Sequence, residues 1–325
     1  MGDEPNLRKG ASEVPYELEG RLVVGVASSA LFDLGEADEV FRERGEDEYR
    51  KYQEAHLDDT LSEGVAFPFI KRLLSLNDLA AVDDPLIEVI VLSRNDPETG
   101  LRVMRSLQTH QLPITRAVFM QGRSPYAFMP AFSMTLFLSK ERSDVREAIS
   151  MGLPAGQVLG SPTEDTDGED LRIAFDFDGV LASDESEKIM QESGLELFHQ
   201  NEVEKVDTPM EAGMLRDFLK AINKIQDRED EEVHRDSSYR RRLHVAIVTA
   251  RNAPSHERVV MTLKAWGVRV NDAFFLGGVE KRRVLQVLRP HIFFDDQLSH
   301  LDTASEAAPS VHVPFGVTNA PTTED

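Results

Sequence analysis

Short, nearly continuous apolar runs alternate with helix-length segments along the chain, and this alternation limits the possible folds more than any other feature. Runs such as RLVVGVA (21–27) and LHVAIV (243–248) carry few polar residues, which is typical of strands buried on both faces. Segments such as SHERVVMTLKAWG repeat Val or Leu at three- and four-residue spacing, which predicts helices. The pattern predicts an α/β fold, a Rossmann-like three-layer sandwich with a parallel sheet. The predicted strands are 21–27, 87–92, 117–120, 134–138, 171–175, 243–248, 273–276 and 291–294.

The chain also contains an internal repeat. VIVLSRNDPETGLRVMRSL (89–107) matches VAIVTARNAPSHERVVMTL (245–263) in an Arg-Asn pair, a following proline and the helical Val/Met/Leu pattern, at an offset near 156 residues. We interpret the repeat as a tandem duplication of one α/β unit, over residues 21–160 and 171–317. Chance similarity between two Rossmann-like segments is the alternative. The remaining parts are an N-terminal tail (1–20), a polar, breaker-rich linker (161–170) and a C-terminal tail (318–325).

Charge and composition exclude several classes of partner. The formal net charge of −22 argues against a nucleic acid polymer, because phosphate contacts need a basic surface. It does not exclude a small anionic substrate, since a bound divalent cation reverses the local sign of a site. The sequence has no cysteine, no apolar run long enough for a membrane span and no apolar signal segment near Met1, so we expect a cytoplasmic protein. A homo-oligomer is compatible with the sequence.

Polar residues follow the apolar strands of the second copy at four places. In a parallel α/β sheet the carboxyl ends of the strands share one edge, so side chains far apart in sequence can converge there. Each residue alone has a simpler interpretation: a strand-end Asp or Thr commonly caps a helix or begins a turn, and a lysine at a helix start commonly faces solvent. Their shared position favours one site instead. The residues are Asp176, Asp178, Thr249, Lys281, Asp295 and Asp296.

This set of side chains suits the cleavage of a phosphate monoester. A carboxylate nucleophile divides the hydrolysis into two steps through an aspartyl-phosphate. Because carboxylate and phosphate repel one another, a Mg²⁺ ion with hard oxygen ligands has to bridge them. A hydroxyl and an ammonium group can bind the remaining phosphoryl oxygens as charge shifts in the transition state. Residue chemistry alone defines the substrate no further than a phosphate monoester.

The motifs of the second copy resemble those of a known superfamily. Asp176-Phe-Asp178-Gly-Val180, Thr249, Lys281 and Asp295-Asp296 match the four motifs of the haloacid dehalogenase superfamily of phosphotransferases. More narrowly, the chain resembles the cytosolic 5′-nucleotidase type I family over nearly its full length. The stretches that carry this resemblance are VASSALF (26–32), FPFIK (67–71), LRIAFDFDGVLASDESE (171–187), VTARNA (248–253), AWGVRVNDAFFLGG (265–278), RPHIFFDDQ (289–297) and HVPFGV (312–317).

The resemblance implies a haloacid dehalogenase-like fold and a role for each matched residue. Asp176 would attack the phosphorus, and Asp178 would protonate the leaving ribose oxygen and then activate water. Thr249 and Lys281 would hold phosphoryl oxygens, with Lys281 also steadying Asp176. The Mg²⁺ ligands would be Asp176, the backbone carbonyl of Asp178, Asp295 and, directly or through water, Asp296.

A small helical cap, inserted at about residues 183–242, would close over the substrate if the resemblance holds. Ser183 and Glu185 lie at its hinge and are candidates for substrate binding; a helix cap and a solvated first turn are the alternative. Arg251 and Asn252 could face a ribose or base, or could cap the next helix. No pair of histidines shows metal-ligand spacing, so we expect all of them to be structural or surface residues.

The first copy lacks the catalytic side chains. Ala27, Ser29, Pro125 and Ser139 fall opposite or near Asp176, Asp178, Lys281 and Asp295, and Thr249 falls opposite Leu92 or, with a one-residue slip, Ser93. We expect residues 21–160 to be catalytically inactive and retained for packing, for shaping the pocket or for binding a nucleotide effector. The polar edge available for an effector consists of Ser28, Ser29, Ser93, Arg94 and Asn95. The alternative is that this edge is solvated or packed against the other copy.

These residues and the resemblance together predict a Mg²⁺-dependent phosphoric monoester hydrolase. The resemblance alone favours AMP-like nucleoside 5′-monophosphates, cleaved to nucleoside and phosphate. One alternative is a phosphatase or phosphotransferase acting on another small phosphorylated metabolite. A nucleotide-binding regulator without turnover is disfavoured, because the second copy keeps every catalytic group.

Overall fold

The computed structural model describes residues 16–81, 83–160, 168–316 and 319. Most of the predicted N-terminal tail, linker and C-terminal tail therefore lies outside the described residues. Ten strands form one sheet: β1 (Leu22–Val26), β2 (Ile87–Ser93), β3 (Arg116–Phe119), β4 (Leu136–Ser139), β5 (Ala155–Leu159), β6 (Leu171–Phe175), β7 (Leu243–Thr249), β8 (Asp272–Phe275), β9 (Ile292–Asp295) and β10 (Ser310–His312).

Two half-sheets with the same internal order make up this sheet. The strand order is β3-β2-β1-β4-β5-β10-β9-β6-β7-β8, so residues 21–160 (the first half) and 171–316 (the second half) each place their first strand in the middle. Pairing is parallel within each half. The halves join where β5 and β10 pair antiparallel, with Val158 opposite Val311.

Helices cover both faces of the sheet. They are α1 (Ser28–Leu31), α2 (Gly35–Arg44), α3 (Glu46–Ala55), α4 (Phe67–Ser75), α5 (Pro97–Thr109), α6 (Arg142–Ser150), α7 (Glu185–Glu204), α8 (Arg216–Arg235), α9 (His256–Trp266), α10 (Lys281–Leu288) and α11 (Leu298–Ala304). Alternate residues of one strand point to opposite faces, and Val24 of β1 accordingly joins a different apolar cluster from Val23. The prediction of an α/β fold with a largely parallel, two-sided sheet is confirmed.

One face carries a core shared by the two halves. Helix α4 of the first half contacts β6, and α8 of the second half contacts β1, so a single buried cluster runs across the junction. The opposite face has two separate clusters, one under α6 and one under α10 and α11. The two halves are therefore held together by the shared core as well as by the β5–β10 pair.

The segment predicted as a cap, 183–242, contains two helices with different surroundings. Helix α8 buries Phe218, Leu219 and Ile222 against the sheet, so it belongs to the core layer. Helix α7 is largely polar and is interrupted at Gly194, whose φ of 81° is left-handed. Only α7 and its flanking loops are thus placed to cover a site, because the apolar face of α8 is already used.

All eight predicted strands are present, with ends that differ by a few residues. Strands β5 and β10 were not predicted, because AGQVL and SVH are short and carry no long apolar run. Within the part of the chain that the structure describes, no helix combines the length and apolarity needed to cross a bilayer.

Candidate active site

Asp176 lies directly after β6, at the carboxyl edge of the second half-sheet. Its backbone N–H donates to the carbonyl of Phe294 on neighbouring β9, at 2.7 Å, which continues the sheet by one residue. Its Oδ1 accepts from the N–H of Phe177 at 2.7 Å, and its Oδ2 lies 2.7 Å from the Nζ of Lys281. The carboxylate is buried and held at both oxygens, as a nucleophile needs to be for a defined attack direction.

Gly179 makes the turn after Asp178 possible. Its φ of 71° is left-handed, and a Cβ at this position would overlap the carboxylate of Asp296. Both the conformation and the space therefore require glycine. The close approach brings the loop after β6 against the loop after β9.

Lys281 is the first residue of α10 and is 5% exposed, so the solvated-lysine interpretation is wrong. Its Nζ lies 2.7 Å from Asp176 Oδ2 and 2.7 Å from Asp295 Oδ2. Burial alone would lower the pKa of Lys281, but these two carboxylates raise it. The ammonium group therefore stays charged at the centre of the carboxylates.

Asp295 ends β9 and Asp296 follows it, and both are buried. Single ligand atoms of Asp176, Asp295 and His300 lie within 4.8 Å of one another. His300 on α11 is 3.3 Å from Asp295 Oδ1 through its Nδ1. His300 thus contacts a carboxylate of the site, a position that the expectation of structural or surface roles for the histidines did not single out.

The carboxylates of this site carry more negative charge than their protein surroundings neutralise. Burial, followed by the charges of Asp176 and Asp295, raises the pKa of Asp296 to about 9. Burial, together with Asp295 and against the opposing effect of Lys281, raises the pKa of Asp176 to about 6. A divalent cation would relieve this repulsion, and buried carboxylate oxygens are the hard ligands that Mg²⁺ prefers. The donor set therefore fits a magnesium-type ion.

Thr249 is the last residue of β7, the strand beside β6, and is 1% exposed. Its Oγ1 accepts a hydrogen bond from the N–H of Arg251 at 3.3 Å. The hydroxyl hydrogen remains available as a donor, because this bond uses only an acceptor position. Thr249 thus lies at the same sheet edge as Asp176, as the strand pattern predicts.

Arg251 binds protein carboxylates in the described structure. Its Nε and Nη2 each lie 2.7 Å from an oxygen of Asp178, which forms a bidentate pair, and its Nη1 donates to Glu202 of α7. The guanidinium carbon is 5.7 Å from the ring centre of Phe177 and 5.4 Å from that of Phe198. These contacts leave Arg251 5% exposed, so its guanidinium is engaged mainly by protein groups.

The other candidate substrate contacts lie in local hydrogen bonds. The Asn252 carbonyl accepts from the N–H of His256 and from Ser255 Oγ, but the N-cap residue of α9 is Ser255, and the Asn252 side chain is exposed. The Ser183 N–H donates to the carbonyl of Glu211 at 2.9 Å. Glu185 begins α7 and accepts from Lys205 Nζ at 2.7 Å. Among the described residues, none of these three side chains forms a hydrogen bond or ion pair with Asp176, Lys281 or Asp295.

The sequence of this chain is similar to those of known proteins. A family model described as 5′-nucleotidase matches residues 14–320. The chain belongs to the 5′-nucleotidase family. It is 30% identical over 299 residues to human "Cytosolic 5′-nucleotidase 1B", across 89% of this chain and 48% of that protein. This 5′-nucleotidase-family chain therefore spans about half the length of the curated relative. No solved structure matches it.

The family match confirms the predicted resemblance and, at the level of the family, the predicted class of phosphoric monoester hydrolase. Three residues of the site were not predicted from this 5′-nucleotidase-family sequence: Glu202, Arg258 and His300. His300 follows the strand-end residue Asp295 closely in the sequence, and this short spacing could have indicated that the two side chains meet. Glu202 and Arg258 gave no such signal, because acids and arginines on helices usually face solvent.

The first half has a cavity at the matching edge of its own half-sheet. Its volume is about 480 Å³, and its lining includes every residue of the predicted polar edge: Ser28, Ser29, Ser93, Arg94 and Asn95. Carboxylates of Asp38, Glu46, Asp96, Glu141 and Asp144 also line it. Arg94 is already paired with Asp144 at 2.9 Å and with Glu147 at 2.7 Å. The lining of this cavity therefore contains more carboxylates than basic side chains.

Proposed function

We propose that this chain is a Mg²⁺-dependent 5′-nucleotidase that cleaves nucleoside 5′-monophosphates, with AMP-like substrates favoured, to nucleoside and phosphate. The observation that carries the proposal is the contact of Lys281 with both Asp176 and Asp295, 2.7 Å in each case. A buried lysine between two carboxylates after parallel strands is suited to holding a phosphoryl group against a carboxylate nucleophile. The relative's name supports the nucleotide substrate and a cytosolic location.

In the proposed reaction, an oxygen of Asp176 forms a bond to phosphorus while the bond from phosphorus to the ribose oxygen breaks. Asp178 gives its proton to the departing ribose oxygen. Asp178 then takes a proton from water, whose oxygen attacks the aspartyl-phosphate and releases phosphate and the Asp176 carboxylate. Thr249 and Lys281 bind the phosphoryl oxygens throughout.

The residues that would hold Mg²⁺ are Asp176, Asp295, Asp296 and the backbone carbonyl of Asp178. When bound, the ion supplies positive charge that lets the phosphate approach a carboxylate. The chain itself contributes the direction of Asp176, through its bonds from Phe177 and Lys281. A Lys281 ammonium also compensates the charge of Asp295 before substrate binds.

We also propose that the two halves arose by tandem duplication within a haloacid dehalogenase-like architecture, with α7 as the cap. The common strand order of the half-sheets supports this proposal. The first half would be a catalytically inactive sister unit whose cavity takes a nucleotide effector. Because that cavity is rich in carboxylates, the effector's phosphates would need an accompanying cation. A homo-oligomer is a further proposal.

A phosphate-release screen tests the proposed activity. The full chain is incubated with nucleoside and deoxynucleoside monophosphates and with sugar phosphates, each with and without Mg²⁺. We expect turnover of nucleoside 5′-monophosphates only in the presence of the ion. No release from any nucleotide, alongside strong turnover of a sugar phosphate, would favour the other phosphatase assignment.

A further inference from the structure

A buried chain of charges connects helix α7 with Asp178. Glu202 on α7 is 1% exposed, although it carries a carboxylate. It accepts hydrogen bonds from Arg251 Nη1, from Arg258 Nη1 at 2.8 Å and from Ser186 Oγ at 2.9 Å. Arg251 in turn donates to both carboxylate oxygens of Asp178, at 2.7 Å each.

Arg251 has little freedom within this chain. It is 5% exposed, its Nη1 also contacts the Ser255 carbonyl at 3.3 Å, and its guanidinium lies between the rings of Phe177 and Phe198. A planar guanidinium bound at both edges fixes the plane of the carboxylate that it holds. Each Asp178 oxygen still has a lone pair outside this bond, which leaves a position for a proton or a water.

The first half provides an internal comparison for these residues. Val26 pairs with Val91 and Phe175 with Ile247, so the register matches Ser29 to Asp178 and Asn95 to Arg251. This register differs by one residue from the Arg-Asn match of the two sequences, and Arg94, the arginine of that match, pairs with Asp144 and Glu147 instead. Gly45 and Gly194 share a left-handed φ of 82° and 81°, and the residues eight positions later are Gln53 and Glu202. Where the Asp178 equivalent is a serine, the other two positions have therefore also lost their charges.

The contact between Glu202 and Arg258 has a counterpart in the first half. Arg102 Nη1 donates to Gln53 Oε1 at 3.2 Å, just as Arg258 Nη1 donates to Glu202 Oε1 at 2.8 Å. A side-chain amide, as in Gln53, is therefore enough to attach the helix to the one that carries the arginine. A buried carboxylate costs more to desolvate than an amide, so its presence at Glu202 calls for another reason.

We infer that Glu202 is a positioning residue for catalysis: through Arg251 it fixes the carboxylate of Asp178 in the orientation needed to protonate the leaving oxygen. The inference rests on the proposed function, in which Asp178 is that acid. Because Glu202 is on α7, the geometry of the acid depends on the position of the cap helix. Arg258, which both halves keep in a matched form, attaches the helix.

The dependence on the leaving group separates a positioning role from a structural one. The ribose oxygen of AMP is a poor leaving group that needs a proton, whereas the p-nitrophenolate of p-nitrophenyl phosphate departs without one. The value of kcat/KM includes the steps up to departure of the leaving group. The ratio of kcat/KM for AMP to that for p-nitrophenyl phosphate therefore measures proton donation, and a misfolded fraction cancels from it.

The experiment compares the full-length wild type, Glu202→Gln, Arg251→Asn and the double variant, all with Mg²⁺. We expect Glu202→Gln to lower the ratio by roughly tenfold and Arg251→Asn to lower it at least as much. The double variant should lose no more than Arg251→Asn, because Glu202 acts through Arg251. Glu202→Asp keeps the charge and should lower the ratio less than Glu202→Gln. It replaces Glu202→Gln in the comparison if that variant does not fold.

Two control variants make the outcome decisive. Gln53→Ala removes the matched side chain of the first half and should leave the ratio unchanged. An equal fall for both esters in Glu202→Gln, or fully multiplicative losses in the double variant, would overturn the inference. Asp178→Asn tests the proposed function separately: if it does not lower the ratio, the acid assignment fails, whereas a loss there without one in Glu202→Gln rejects only the role of Glu202.

Discussion

The Nζ of Lys281 lies 2.7 Å from Oδ2 of Asp176, and both side chains are buried. The two residues are more than a hundred positions apart in the sequence and meet because β6 and the turn before α10 end at the same edge of the sheet. An ammonium group so close to the proposed nucleophile directs one carboxylate oxygen and leaves the other to its bond from Phe177.

Replacing Lys281 by methionine should affect both stability and turnover. Without Mg²⁺, the variant leaves Asp176 and Asp295 buried without their cation, and the free energy of unfolding should fall by about 3–5 kcal/mol. With Mg²⁺, kcat for AMP should fall by about a hundredfold or more. Urea unfolding and phosphate release measure the two effects. Arg283→Met on the same helix is the control, because Arg283 is exposed and should change either quantity little.

Asp176→Asn should abolish the release of phosphate from AMP, because an amide cannot form the aspartyl-phosphate. We expect a loss of at least about a thousandfold in kcat. Ser29→Ala, at a matched strand end of the first half, should retain wild-type turnover, since that half is proposed to be inactive. Full activity in Asp176→Asn would move the reaction elsewhere in the chain.

The stability of the metal-free protein should fall as pH rises from about 5 to about 9. The pKa of Asp296 is raised to about 9 and that of Asp176 to about 6, so the folded state keeps protons that the unfolded state has released. Between its pKa in the unfolded state and its pKa in the folded state, each such group lowers the free energy of unfolding by up to about 1.4 kcal/mol per pH unit. The lowered pKa of Asp295 acts only at more acidic pH.

Mg²⁺ should oppose this fall, because it binds the ionised carboxylates and stabilises the folded state more as pH rises. Thermal unfolding with EDTA and with Mg²⁺ across this pH range measures both slopes. The variant Asp296→Asn, which has no proton to release at this position, should show a shallower slope in EDTA. If the stability in EDTA rose with pH over this range, the raised pKa values of these buried carboxylates would be contradicted.

The junction between the half-sheets should tolerate little extra volume. A Cβ at Gly156 of β5 would overlap the side chain of Val311 on β10, so Gly156→Ala should destabilise the chain by about 1–3 kcal/mol. Adding Val311→Ala frees the space and should recover part of this loss. Chemical denaturation of the single and double variants measures the coupling, and additive losses would mean that the two residues do not meet.

Much of the site could be predicted because strand ends are visible in the sequence. The buried strand LRIAF, followed at once by Asp176, and IFFD, ending in Asp295, show where polar side chains leave the sheet. Parallel pairing then requires these ends to share an edge. The contact of Arg251 with Glu202 could not be predicted, because it depends on how α7 packs beside the sheet.

The sequence by itself determined the α/β class and the strand-end residues, since both follow from local periodicity. Only the tertiary structure decided that β5 and β10 join the halves, that α8 belongs to the core and that Arg251 pairs with Asp178. Those outcomes depend on which surfaces remain available after the strands have paired. Burial of a short strand, a helix face or a charged side chain is a property of its neighbours, and local sequence does not specify them.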